Sequence, residues 1–179
     1  MLSFIKIKRE LGFNINKAQH LFLKQIFEII KIEHKEYKIK IIERFKNSDF
    51  IKENRILFIE KGLSYYENED YFGAVHAMMF QVEGVLRDMI VELGGVDFSY
   101  RAERMKLRPL NDLLSDLKKN PYPEEQDFFK FVEFYLTEYG FNYRNKIAHA
   151  DIELENYNRA IAEYLILIFL RISTYKKNQ

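Results

Sequence analysis

Residues 71–95, YFGAVHAMMFQVEGVLRDMIVELGG, decide the fold class of this chain. Apolar side chains in this stretch recur at steps of three and four residues, which is the spacing of one helix face. They are Phe72, Val75, Met79, Val82, Leu86, Met89, Ile90 and Leu93. Residues 68–70 offer an N-cap, and the pair Gly94-Gly95 stops the pattern. The sequence therefore predicts a long helix here.

Similar patterns flank this helix. We predict further helices over residues 18–46, 50–66, 109–117, 124–139 and 154–175. In the helix over 124–139 the predicted buried stripe consists of Phe128, Phe131, Val132, Tyr135 and Leu136. A short strand over residues 37–42 is the alternative there, residues 96–108 are expected to be irregular, and residues 120–123 are a predicted break. The predicted fold class is an all-α bundle with an additional N-terminal helical arm.

The composition also indicates a folded, helical protein. The 179 residues are 47% hydrophobic and 16% aromatic, which excludes disorder as the main state and favours one domain. Seven glycines and three prolines are few for the turns of an all-β fold. Cysteine is absent, which excludes disulfides and thiolate metal sites and makes the cytoplasm the simplest compartment. The most hydrophobic run, residues 164–170, is far shorter than the roughly 20 residues of a membrane span, so no membrane partner is expected.

Charge divides the chain into two regions. Residues 1–61 carry 14 Lys and Arg against 8 Asp and Glu, whereas residues 62–179 carry 14 against 19. We predict a basic helical arm over residues 1–49 and a helical bundle over residues 50–179. The arm can face nucleic acid, pack on its own acidic bundle, or pack on another copy.

Common catalytic motifs do not occur in the sequence. There is no G-x-x-x-x-G-K-[ST] loop, no G-x-G-x-x-G turn and no G-x-S-x-G elbow. The histidines, His20, His34, His76 and His149, include no H-E-x-x-H pair. His149 and Asp151 can hold a metal from one side, but two neighbouring ligands are weak support for a metal site. We therefore predict neither a metal nor a cofactor.

The candidate chemistry lies in residues 140–151, GFNYRNKIAHAD, which connect two predicted apolar helices. This segment concentrates Arg144, Asn145, Lys146 and His149 within six residues. Helix caps and solvated connections favour the same residue types, so a purely structural role is the alternative.

Residues 144–149, RNKIAH, form an R-N-x-x-x-H motif that resembles the signature of the HEPN superfamily (higher eukaryotes and prokaryotes nucleotide-binding). In that superfamily an Arg and a His lie four to six residues apart near the last helices of an all-α bundle. Residues 72–87, FGAVHAMMFQVEGVLR, resemble the glutamate- and arginine-bearing helix of an uncharacterised bacterial HEPN-type family with an R-N-x-x-A-H element. The resemblance covers about residues 50–175 and implies a HEPN-like bundle.

The resemblance implies a metal-independent endoribonuclease that acts on RNA as a homodimer, in a toxin or antiphage defence context. It implies catalytic roles for Arg144, His149 and Asn145. Histidine is the residue type that changes charge near neutral pH, so His149 suits the proton transfers of attack by a 2′-hydroxyl. Arg144 suits phosphate binding through its planar fork, and Asn145 either caps a turn of the motif or donates to a phosphate.

Two alternatives remain for the function. One is a non-catalytic helical dimerisation or nucleotide-binding module, and the other is a toxin held by a nucleotidyltransferase-type antitoxin.

The spacing of the motif restricts its mechanism. Five residues of a regular helix advance by about 500°, so Arg144 and His149 lie roughly 140° apart, whereas Asn145 and His149 share a face. Arg144 and His149 therefore converge only where the chain bends or where a second subunit contributes. Since one motif has one histidine for two proton transfers, we predict a twofold dimer.

Four other residues are supporting or binding candidates. Glu83 and Arg87 lie one helical turn apart, and they either pair on the surface or lie beneath the cleft, where Glu83 would orient Arg144. His76 lies seven residues before Glu83 and thus on nearly the same face, although a lone histidine in an apolar helix is more often a core residue. Lys146 is either simply solvated or attracts RNA.

Overall fold

The structure is a computed structural model that describes residues 23–101, 104–119 and 126–177. Regular structure within these residues is helical except for one two-stranded hairpin, which confirms the predicted all-α class. The described part of helix α1 covers residues 23–33. The other elements are α2 (Tyr37–Lys46), α3 (Glu53–Glu67), α4 (Tyr71–Glu92), β1 (Phe98–Arg101), β2 (Arg104–Leu107), α5 (Leu110–Lys119), α6 (Gln126–Leu136), α7 (Tyr143–Ala148), a 3-10 turn (Leu154–Asn156) and α8 (Arg159–Ile172). None of the helices in these ranges combines the length and the hydropathy of a membrane crossing.

Helix α4 is central to the bundle and confirms the helix predicted within residues 71–95. It packs against α3, α5, α7 and α8. Asp70 caps its start, because the Asp70 carboxylate accepts a 2.8 Å hydrogen bond from the backbone N–H of Gly73. Gly94, with a φ of +79°, follows its end in the left-handed conformation that glycine tolerates. The face of α4 that carries Glu83 and Arg87 contacts α7 and the base of the hairpin.

Helix α8 is buried on almost every side, as predicted for its centre. Its predicted start at Leu154 is wrong, because Leu154–Asn156 forms a separate 3-10 turn. Asn158 caps the helix proper, since its side chain accepts a 3.3 Å hydrogen bond from the N–H of Ile161. The helix ends at Ile172 rather than at Tyr175.

Helices α5 and α6 differ in how well the spacing of apolar residues predicted which side chains are buried. Helix α5 begins after Pro109 as predicted and buries its leucines, Leu110, Leu113, Leu114 and Leu117. Helix α6 is shorter than predicted, and Phe129 is fully buried while Phe128 and Phe131 are only partly buried. Because Phe128 and Phe129 are adjacent, the spacing of apolar residues did not determine which of the two lies on the buried face. The predicted break at residues 120–123 lies outside the described residues.

The predicted single helix over residues 18–46 is wrong. Helix α1 ends at residue 33, a short non-helical link covers residues 34–36, and residues 37–42 are helical rather than a strand. Residues 18–22 lie outside the described ranges. A straight helix of the predicted length would extend about 44 Å, further than α4. The link instead keeps both Phe27 and Phe45 in the core.

The described part of the arm packs on its own chain. Arg159 in α8 donates a 2.5 Å hydrogen bond to Glu28 in α1, and Arg44 in α2 donates a 2.9 Å hydrogen bond to Ser173. The hydrogen bond from Arg159 and its positive charge lower the pKa of Glu28. Buried residues on both sides of residue 49 belong to one hydrophobic core, and the division at this position stays a prediction.

The prediction of an irregular segment over residues 96–108 is wrong. Strands β1 and β2 pair antiparallel, with Phe98 opposite Leu107 and Tyr100 opposite Met105. The alternation of apolar and polar residues was present in both strands, but the charged residues between them hid the hairpin. This hairpin lies at the end of α4.

A buried ion pair holds the start of α8. Glu163 is fully buried, and its Oε1 accepts hydrogen bonds of 2.7 Å from the Tyr66 hydroxyl and 2.5 Å from Arg159 Nε. Burial and the bond to Glu163 raise the pKa of Tyr66 above the ordinary range of a tyrosine. Glu163 Oε2 and Arg159 Nη2 are buried and have no hydrogen-bond partner among the described residues. The pair is therefore sensitive to the loss of either charge.

We expect Arg159→Met to lower the free energy of unfolding by about 3–5 kcal/mol, because it leaves the Glu163 carboxylate buried without its cation. Urea denaturation followed by circular dichroism measures this change. The triple variant Arg159→Met, Glu163→Leu and Tyr66→Phe removes the charges and the orphaned hydroxyl together, and should regain most of the loss. A triple variant as unstable as the single variant would contradict this account.

Candidate functional site

Residues 140–151 connect α6 with α8, as predicted, and contain the short helix α7 (Tyr143–Ala148). The turn into α7 needs Gly140, because a Cβ atom there would lie 2.0 Å from the carbonyl oxygen of Phe134. The same carbonyl accepts a 2.9 Å hydrogen bond from the N–H of Phe141. Asn142 follows with a φ of 58° and starts α7. The backbone thus turns sharply before the R-N-x-x-x-H motif.

Aromatic packing anchors this helix to the bundle. Tyr143 lies 5.0 Å from the buried ring of Tyr135 and 5.5 Å from the ring of Phe141, measured between ring centroids. Burial raises the pKa of Tyr143. Ile147, one turn later, is also buried. These contacts fix the face of α7 that carries Arg144.

Arg144 is held by two neighbouring side chains. Its Nε and Nη2 both lie 2.9 Å from Glu83 Oε2, and its Nη1 donates a 2.9 Å hydrogen bond to Asn145 Oδ1. Asn145 in turn donates a 2.9 Å hydrogen bond to the side chain of Asn142. Three of the five N–H groups of Arg144 are thereby engaged with described residues, and the side chain is 31% exposed. Two N–H groups remain for a ligand.

Glu83 joins three parts of the structure. Its other oxygen, Oε1, accepts a 2.6 Å hydrogen bond from Arg87 Nη2. Arg87 also donates to the backbone carbonyls of Asp97 at 3.1 Å and Arg108 at 2.6 Å, which lie on the two sides of the hairpin. Of the two roles considered for Glu83, surface pairing or contact with Arg144, the structure shows a partly buried Glu83 in contact with both arginines.

A cleft of about 360 Å³ lies over this network. Its lining residues are Glu83, Arg87, Leu107, Arg108, Pro109, Leu110, Asn111, Leu136, Thr137, Arg144 and Asn145. Three guanidinium groups and one carboxylate among them make the lining attractive to an anion. Sequence reasoning missed Arg108, whose guanidinium donates to the carbonyl of Val96 at 2.8 Å and to Asp116 at 2.7 Å. Its only sequence signal was a basic residue before the proline that precedes α5.

His149 lies away from this cleft within one chain. Helix α7 stays regular through the motif, since the N–H of His149 donates a 2.9 Å hydrogen bond to the carbonyl of Asn145. His149 is the C-cap, its side chain is exposed, and it is not among the residues that line the cleft. Lys146 is exposed as well and lines a separate cleft with Asp151 and Glu153. The structure therefore brings Arg144, Asn145, Glu83 and Arg87 together and leaves His149 outside.

His76 is not the core residue that its apolar helix suggested. Its side chain is exposed and stacks on Tyr157, with 5.0 Å between ring centroids and 22° between planes. Its Nδ1 lies 3.0 Å from the carbonyl oxygen of Phe72, one turn earlier. His76 thus lies on the outer face of α4 and does not line the Arg144 cleft.

No group of three or more His, Asp or Glu side chains among the described residues is arranged to hold a metal ion. Comparisons of the chain with protein-family models, with curated proteins and with solved structures found no match. The resemblance to the HEPN superfamily therefore rests on the motif and the upstream helix alone.

We expect Glu83→Gln to lower the free energy of unfolding by about 1–3 kcal/mol, because the negative charge is lost and an NH2 group, which cannot accept a hydrogen bond, replaces one of the two oxygens that Arg87 and Arg144 contact separately. Chemical denaturation measures the change. The control substitution Asp127→Asn removes a carboxylate that pairs with Lys130 at the surface, and should change stability by less than about 0.5 kcal/mol. Equal losses in the two variants would show that Glu83 is no more than another surface carboxylate.

Proposed function

We propose that this chain is a metal-independent endoribonuclease of HEPN type that cleaves RNA at a composite site between two copies. The observation that carries the proposal is Arg144, which Glu83 and Asn145 hold in the wall of an arginine-lined cleft with two N–H groups left over. An oriented guanidinium is suited to a phosphate, because two parallel hydrogen bonds match the geometry of two phosphate oxygens. The toxin or antiphage defence context and the cytoplasmic location belong to the same proposal.

The reaction needs a base, an acid and a cation. The RNA 2′-hydroxyl loses its proton to the base and attacks the adjacent phosphorus, and the bond from phosphorus to the 5′-oxygen breaks as the acid protonates that oxygen. The products are a 2′,3′-cyclic phosphate and a 5′-hydroxyl. Arg144 stabilises the extra negative charge of the phosphorane, and imidazole groups perform both proton transfers.

A second copy supplies what one chain lacks at the cleft. His149 lies outside the Arg144 cleft of its own chain, and each chain has one motif histidine. Large apolar side chains remain exposed on the two helical regions that carry the site residues, with Phe80 on α4 at 40% and Leu154 after α7 at 70%. Such exposed residues are suited to a contact with another copy. A twofold arrangement would place two His149 side chains near one pair of clefts.

A binding module without catalysis is the second candidate. It is favoured by the ion pair between Arg144 and Glu83, which engages most of the guanidinium, and by the exposed position of His149 away from the cleft. The same cleft would then bind a nucleotide phosphate without cleaving it.

We expect the purified full-length chain to cleave single-stranded RNA in excess chelator, and both Arg144→Ala and His149→Ala to lower the rate by about 100-fold or more. Arg144→Lys should also be impaired, because an ammonium group cannot donate in a fork. Gel electrophoresis of end-labelled RNA measures the rate. His34→Ala, a change at an exposed histidine between α1 and α2, is the control and should cleave normally. A wild-type chain that binds nucleotides but never cleaves RNA would favour the binding module.

We expect the specific activity to fall on dilution, in step with the dissociation of a dimer, because each site requires two chains. Light scattering and cleavage rates over the same concentration series measure the two quantities together. A monomer that cleaves RNA with undiminished specific activity would contradict the composite site.

A further inference from the structure

The hairpin of β1 and β2 has one apolar side. Side chains alternate between the two sides of a strand, and directly paired residues share a side. The pairs Phe98–Leu107 and Tyr100–Met105 therefore lie on the same side, while Ser99 and Lys106 lie on the other. We call the four apolar residues the apolar face of the hairpin.

This apolar face is open to solvent. Its members are exposed by 44% for Phe98, 75% for Tyr100, 67% for Met105 and 66% for Leu107. Four large apolar side chains side by side on a two-stranded ribbon are costly to leave in water, so the face is suited to a ligand or partner.

The charge of the hairpin indicates the chemistry of its occupant. Residues 98–108 contain four basic residues and one acidic residue, in a region from residue 62 onwards that is acidic overall. Arg104 and Lys106 are exposed. Their side chains project from the side opposite the apolar face, and the positive charge next to the rings comes from Arg87, Arg108 and Arg144 in the adjoining cleft. Exposed aromatic rings beside a cationic cleft complement a chain of phosphates whose bases are free to stack.

The hairpin is also fixed to the Arg144 cleft. Leu107 belongs to both the apolar face and the cleft lining. Arg87 donates to the carbonyls of Asp97 and Arg108, and Arg108 donates to the carbonyl of Val96, so the two sides of the hairpin base are tied together and to α4. The apolar face therefore continues directly into the cleft at a set orientation.

We propose that the hairpin is a stacking platform for single-stranded RNA, on which Tyr100 and Phe98 stack bases and lead the strand into the Arg144 cleft. The identity of the ligand as RNA rests on the proposed ribonuclease function. Duplex RNA is disfavoured, because its bases are already stacked. A second copy on this face is the other occupant, and the oligomeric state of the Phe98→Ala, Tyr100→Ala chain distinguishes it from RNA.

The test uses the full-length His149→Ala chain, so that RNA is not cleaved during the measurement. Fluorescence anisotropy with a short labelled oligoadenylate gives Kd, and the same strand annealed to oligouridylate is the duplex control. Adding Phe98→Ala and Tyr100→Ala should raise Kd for the single strand by about tenfold or more and leave the weak duplex binding unchanged. Tyr100→Trp should retain affinity, since it keeps a stacking ring.

Phe58→Ala removes a similarly exposed ring from α3 and is the matched control, with no change in Kd expected. Lys106→Gln should reduce the slope of log Kd against log salt by about 0.7 if Lys106 contacts one phosphate. Unchanged single-strand binding in the Phe98→Ala, Tyr100→Ala chain would overturn the platform. Weaker binding accompanied by a shift from dimer to monomer would also overturn it, because the face would then be a protein interface. If the wild-type chain binds RNA through the hairpin but never cleaves it, the nuclease proposal fails and the platform stands.

Discussion

The candidate site depends on the ion pairs that the Glu83 carboxylate makes with two arginines. The carboxylate is largely shielded from solvent, and it receives the guanidinium groups of Arg144 from α7 and Arg87 from its own helix. A shielded carboxylate is stable only when its charge is compensated, so α7 must lie against α4 at this level. Arg87 extends the same requirement to the hairpin through two backbone carbonyls. The ion pairs of Glu83 thus determine how α7 and the hairpin lie around the cleft, while hydrophobic packing holds the rest of the bundle together.

Elements with local start and stop signals were predictable, and elements that depend on distant partners were not. Asp70 and Gly94 bound α4 through interactions within a few residues, and the sequence indicates both. The end of α1 has no comparable signal, because the chain turns there to keep Phe45 on a core formed largely by later helices. The hairpin was missed because charged residues separate its two short strands, although each strand alternates apolar and polar residues.

The same distinction applies to the site. The resemblance of the motif implied roles for Arg144 and Asn145, and contact of Glu83 with Arg144 was one of the two alternatives for Glu83; the structure shows these contacts. The position of Arg108 depends on carbonyls that the hairpin presents, and hairpin geometry was not predicted. Of the two alternatives for His76, the core position does not hold, since the side chain is exposed and stacks on Tyr157, which follows α7 and is distant in sequence. Contacts between residues that are distant in sequence cannot be predicted from the periodicity of apolar residues.

The contacts between the arm and the last helix also have a consequence for synthesis. Glu28 and Arg159 are 131 residues apart, and Arg44 and Ser173 are 129 apart. The ribosome releases α1 and α2 long before their partners on and after α8 exist, so these helices cannot reach their final positions until α8 has been made. The apolar surface that α8 covers on them therefore stays exposed while the intervening helices are synthesised, and a nascent-chain chaperone has that interval in which to bind it.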